Sequence, residues 1–107
     1  MAAHKFADRQ KITKRGFLTS AKGDVEDNQR MFWISAYVFQ NGPGHHAAAS
    51  GTKEWPNGKA HHWTCPTEEV PGSNRFKAGE ARAWALALVT EGDGRKFYGW
   101  GHKVTLE

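Results

Sequence analysis

AGEARAWALALVTE, residues 78–91, decides the fold class of this chain, because two readings of it lead to different architectures. Read with a helical period, Ala78, Ala81, Trp84, Ala85 and Leu88 fall on one stripe, and Gly92 stands where a helix would end. Read as an extended segment, the same residues pair through Glu91-Gly92-Asp93-Gly94 with residues 95–103, giving two arms of equal length. Alanine's helix propensity favours the first reading. The expectation is therefore an α+β fold, an antiparallel sheet of four to five strands with one helix near 78–91. An all-β small barrel is the alternative.

Length and composition frame that choice. The 107 residues suffice for one hydrophobic core and are too few for two, so a single domain over 1–107 is expected. With 38% hydrophobic, 12% aromatic and 24% charged residues, the chain has the apolar content of a folded domain rather than of a disordered segment. Cys65 is the one cysteine, which excludes an intramolecular disulfide and makes a reducing compartment the simpler expectation. Residues 1–14 hold no apolar run of the secretory-leader type, and nowhere do the roughly 18 apolar residues of a membrane span run together. These features lead us to expect a soluble, cytoplasmic protein with no membrane partner.

Outward from the deciding segment, MFWISAYVFQ at 31–40 reads as a central strand, rich in aromatic and β-branched residues and closed by Asn41-Gly42-Pro43-Gly44. Alternation puts Met31, Trp33, Ser35, Tyr37 and Phe39 on one face and Phe32, Ile34, Ala36 and Val38 on the other, so both faces are expected to be covered or ligand-bearing. Residues 41–60 combine Gly42, Gly44, Gly51 and Gly58 with Pro43 and Pro56, and are expected to form a long loop, with a short hairpin within it as the alternative. Residues 95–106 read as a final strand, weakened or bulged at Gly99 and Gly101.

The formal charge of +4 suits a polyanionic partner, and its distribution matters more than its size. Cations interleaved with rings are the pattern by which proteins hold a nucleic-acid backbone and stack its bases. Lys11, Lys14 and Arg15 precede Phe17, Arg30 stands beside Met31-Phe32-Trp33, and Arg95-Lys96 open a run containing three rings, Phe97, Tyr98 and Trp100. The leading expectation is a non-enzymatic module contacting nucleic acid through a basic, aromatic-bearing sheet face. Lys11, Lys14, Arg15, Arg30, Arg95 and Lys96 would meet phosphate, while Tyr98 and Trp100 would stack. The alternative is a small interaction or inhibitor protein that docks on an acidic protein surface through the 41–60 segment and Trp55.

A third expectation rests on histidine. His45-His46 and His61-His62 stand close in sequence to Cys65, and imidazole with thiolate is a ligand set that zinc accepts. A metal protein or hydrolase would draw its ligands from these five candidates, with one histidine of each pair, His45 or His46 and then His61, joining Cys65. No CxxC, HExxH, Walker or nucleophile-elbow motif accompanies them, so no catalytic residue is assigned and a binding role is preferred over an enzyme.

Overall fold

The computed structural model describes the backbone of residues 4–91 and 94–107, and the side chains of residues 6–90 and 94–107. Among the described residues nine strands follow one another: β1 (His4–Phe6), β2 (Arg9–Gln10), β3 (Ser20–Val25), β4 (Gln29–Gly42), β5 (His45–Lys59), β6 (His62–Pro66), β7 (Glu68–Glu69), β8 (Gly79–Glu91) and β9 (Gly94–Leu106). Six of them form a curled half-barrel sheet in the order β2-β9-β8-β4-β5-β7, and the other three form a small sheet in the order β1-β3-β6. All pairings are antiparallel except β2 with β9.

The chain is all-β, which corrects the α+β expectation and its sheet of four to five strands. The helix expected near 78–91 is β8, paired along its length with β4 on one side and β9 on the other. The cause is visible in its burial. Ala81, Ala83, Ala85, Ala87 and Val89 are buried, while Arg82, Trp84 and Leu86 between them are exposed. A helix would scatter that alternate set around its circumference, whereas a strand puts all five on one side. Burial between neighbours overrides alanine's intrinsic preference. Gly92 and Asp93 of the expected turn lie outside the described residues.

The long loop expected at 41–60 is corrected as well, because residues 45–59 are β5, pairing back onto β4. Its glycines and prolines serve the strand. Gly44 takes a φ of 65° at the hairpin tip, and Pro56 sits in an irregularity where Met31↔Lys59 and Trp33↔Glu54 are successive pairs, so the residues between them owe no ladder bond. At Gly51 the chain returning from β6 crosses so closely that a β-carbon would lie 1.8 Å from the Pro66 carbonyl oxygen.

The core sits between the inner face of the large sheet and the small sheet. The large sheet contributes Ile34, Ala36 and Val38 from β4, the alanines of β8, and Val104 and Leu106 from β9; the small sheet contributes Ala21, Trp63 and Cys65. Small side chains on β8 leave room for large rings. Phe6 fills that room, with ring centroids 5.3 Å from Trp63, 5.8 Å from Trp100 and 5.5 Å from His102.

Candidate functional site

The small sheet covers one face of the large sheet and leaves the other to solvent. On that outer face stand the alternate residues of three adjacent strands: Trp33, Ser35, Tyr37 and Phe39 from β4, Arg82, Trp84, Leu86 and Leu88 from β8, and Arg95, Phe97, Gly99 and Gly101 from β9. Trp84 is 59% exposed, Leu86 41% and Phe97 66%, so three large apolar groups face water on one surface. Contiguous exposed apolar side chains of this size are uncommon on the surface of a soluble monomer.

Two shallow grooves run along it. One, about 510 Å³, is walled by Phe32, Trp33, Trp55, Leu88, Arg95 and Phe97, with Glu54 and Pro56 at its rim. The other, about 530 Å³, is lined by Tyr37 and Phe39 from β4, Arg82 and Trp84 from β8 and Gly101 from β9. Both fall in the size range of small-ligand sites. The floors follow from the strand sequences. At Gly101 the missing side chain lets the Trp84 ring lie down, since a β-carbon there would be 3.1 Å from Trp84 Cδ1. The ladder slips between Met31 and Trp33, which leaves Phe32 unpaired. The Arg95 guanidinium then stands 4.3 Å from the Phe32 ring centroid, a cation–π contact at the groove mouth. Trp33 and Phe97 meet edge to face at 6.4 Å.

The charge on this face is cationic at both ends. Arg30 and Arg95 both stand opposite Thr90, from the strands on its two sides, and Arg82 closes the far end. Among the described acids, Glu80 is held by Lys103 at 3.6 Å, Glu54 lines one groove, and Glu68 stands two strands from Tyr37 on the same side.

The structure brings some of the sequence-derived residues to this face and places others elsewhere. Arg30 and Arg95 are on it, and Trp55 is half-buried at its edge, packed against the core. Tyr98 and Trp100 share a side of β9, as alternation requires, and that side packs against the core. Lys96 is exposed on the same side of β9 as Tyr98. Lys14 and Arg15 occupy an exposed tight turn closed by the Gly16 N–H donating to the Thr13 carbonyl at 2.9 Å, and Lys11 precedes it; none of these three lies on a strand of the outer face. The most exposed rings on this face, Trp84 and Phe97, are not the pair expected to stack, although Phe97 stands in the same run of cations and rings as Tyr98 and Trp100.

The histidines do not converge. His45 and His46 begin β5 and His61 follows its end, and a strand of that length separates its ends by roughly 45 Å. Each ring is engaged locally: His45 Nε2 with Gln40 Oε1 at 3.0 Å, His46 with Asn41, His61 with Asp27 at 3.8 Å, and His62 with Asp24. Cys65 points inward beside Trp63, while His62 points out. Among the described residues, no group of three or more His, Cys, Asp or Glu is placed to hold a metal ion. No helix among them is long and apolar enough to cross a membrane.

Burial pushes the Cys65 thiol above its ordinary pKa, against smaller lowering effects of the Ala36 backbone and the Lys53 charge. A neutral, enclosed thiol is a poor nucleophile and a poor metal ligand. Cys65 in the folded protein at pH 8 is therefore expected to react with a disulfide reagent at least about tenfold more slowly than in the guanidinium-unfolded chain. Equal rates, followed by thiolate absorbance, would contradict the burial. In comparisons with known proteins, no family model, curated protein or solved structure matches this chain.

Proposed function

We propose that this protein is a non-enzymatic binding module that takes single-stranded nucleic acid on the outer face of its large sheet. The observation that carries the reading is the coincidence, on one uncovered surface, of exposed rings at Trp84 and Phe97 with arginines at both ends of the stripe. Rings stack on bases whatever their sequence, and guanidinium groups hold the phosphates between them. Single strands suit the face better than a duplex, because stacking needs splayed bases and a sheet face offers no projecting element for the major groove. A reducing, intracellular setting fits the buried thiol of Cys65.

The test is fluorescence anisotropy with labelled single-stranded DNA, single-stranded RNA and duplex, at 50 and 200 mM salt. Three phosphate contacts, from Arg30, Arg82 and Arg95, predict a loss of about twentyfold in single-strand affinity across that range. The pair Arg30→Gln and Arg95→Gln is expected to reduce the log–log salt slope by about 1.4. An unchanged slope, or equal preference for duplex, counts against the reading.

One observation favours a second reading. Leu86 and Leu88 lie in the middle of the stripe, where aliphatic groups offer more to a protein surface than to bases. In that reading the face docks on an acidic protein, with Trp55 at its edge as an anchor. Absence of oligonucleotide binding even at 50 mM salt would favour it.

A further inference from the structure

Apart from its faces, the large sheet has two edges, and they are treated differently. At the β5 edge, β7 pairs with Ala49 and Ser50, the Pro66 carbonyl closes over Gly51, and Pro56 with its neighbouring irregularity interrupts the C-terminal part of the strand. Prolines, bulges and covering segments are the usual means of preventing a sheet from adding strands. At the β9 edge, among the described residues, such devices are confined to its C-terminal end. β2 covers Thr105 and Leu106, the register with β8 runs without a slip from Gly94 to Leu106, and β9 contains no proline.

The direction of the backbone groups follows from two bonds. The N–H groups of Thr105 and Glu107 donate to Asp8 and Gln10, so odd-numbered residues of β9 point away from β8. Arg95, Phe97, Gly99, Gly101 and Lys103 consequently turn their N–H and C=O groups outward, and among the described residues no strand pairs with them.

We propose that this edge of β9 accepts an extended acidic segment of a partner protein as an added strand. Charge selects the occupant. β9 carries Arg95, Lys96 and Lys103 and no acid. A second copy is disfavoured, since antiparallel pairing of β9 with itself about Gly99 sets Arg95 opposite Lys103. Acidic side chains at the two ends of the incoming strand would meet these cations, and apolar ones in the middle would lie beside Trp84 on the outer face. The main chain supplies the bonds and the flanking charges supply the selectivity. This proposal rests on backbone groups and does not depend on the nucleic-acid reading.

The probe is a synthetic peptide of about nine residues, with alternating valine and threonine between terminal Asp-Glu pairs. A control peptide of the same sequence is N-methylated at alternate positions, which keeps the side chains and removes the donors. Residue-resolved amide exchange is expected to slow by about tenfold or more at Phe97, Gly99 and Gly101 with the first peptide and not with the second. Gly99→Pro removes an outward N–H where a β-carbon has only ordinary contacts, at 3.8 and 3.9 Å, and is expected to abolish peptide binding in a folded protein. Equal binding of the two peptides, or unchanged exchange at millimolar peptide, overturns the proposal without recourse to any variant. Oligonucleotide binding by the same protein is measured separately, so failure of one reading leaves the other standing.

Discussion

Gly51→Ala is expected to destabilise the protein by about 3 kcal/mol or more, lowering the melting temperature by about 15 °C or preventing folding. A single methyl carries this effect because of where the two sheets are joined. The chain leaves the small sheet at Pro66 and reaches β7 across Gly51, where an added β-carbon would lie 1.8 Å from the Pro66 oxygen and 2.9 Å from its carbonyl carbon. The crossing has little room to yield. The Thr67 N–H donates to the Thr19 carbonyl at 3.0 Å, and its buried hydroxyl donates to the Leu18 carbonyl at 2.8 Å. Relief of the clash breaks one of these bonds or separates β5 from β4. Gly42→Ala is the matched control: that position has open space and an ordinary φ, so its melting temperature is expected to stay within about 3 °C of the parent. Similar circular-dichroism melts for the two variants would mean that the crossing does not hold the two sheets together.

The same residue explains part of what the sequence left unread. Glycine at 51, proline at 56 and glycine at 58 look like loop chemistry in one dimension. Gly51 answers instead to a neighbour distant in sequence, the Pro66 carbonyl, whereas Gly58 combines a positive φ of 80° with the Phe32 ring 3.0 Å from where a β-carbon would lie. Segment 78–91 is a different case, because its signal was present. From Ala81 to Val89 every second residue is small or β-branched, and the residues between are Arg, Trp, Leu and Leu, a period of two that alanine's propensity masked. The strand at 31–40 was legible, as was its apolar character on both faces. Which face would be covered was not, since that depends on a small sheet assembled from segments more than 30 residues apart in sequence, β3 and β6. Arg30 and Arg95 were read as ligand-binding cations from their neighbouring rings, and both stand on the open face. The rings beside them differ from the expected pair, because Tyr98 and Trp100 share the parity of Val104 and Leu106, which the core claims.

If the outer face stacks bases, the pair Trp84→Ala and Phe97→Ala is expected to reduce single-strand affinity by about 100-fold, roughly tenfold from each ring. The two positions are four rungs apart along β8 and β9, about 13 Å, which is beyond the usual range of coupling between substitutions, so their losses should add. Stability is expected to change little, because both rings are more than half exposed and their removal opens no cavity in the core. The salt slope should survive the change, since Arg30, Arg82 and Arg95 remain. That combination separates stacking from general electrostatic attraction: cations alone would retain nearly all of the affinity after both rings are removed, whereas rings acting with cations lose affinity at constant slope. Sedimentation velocity on the same two proteins tests whether the surface instead joins copies of the chain. A parent that self-associates and a variant that does not, with no oligonucleotide bound by either, would assign Trp84 and Phe97 to a protein interface and Leu86 between them to its centre.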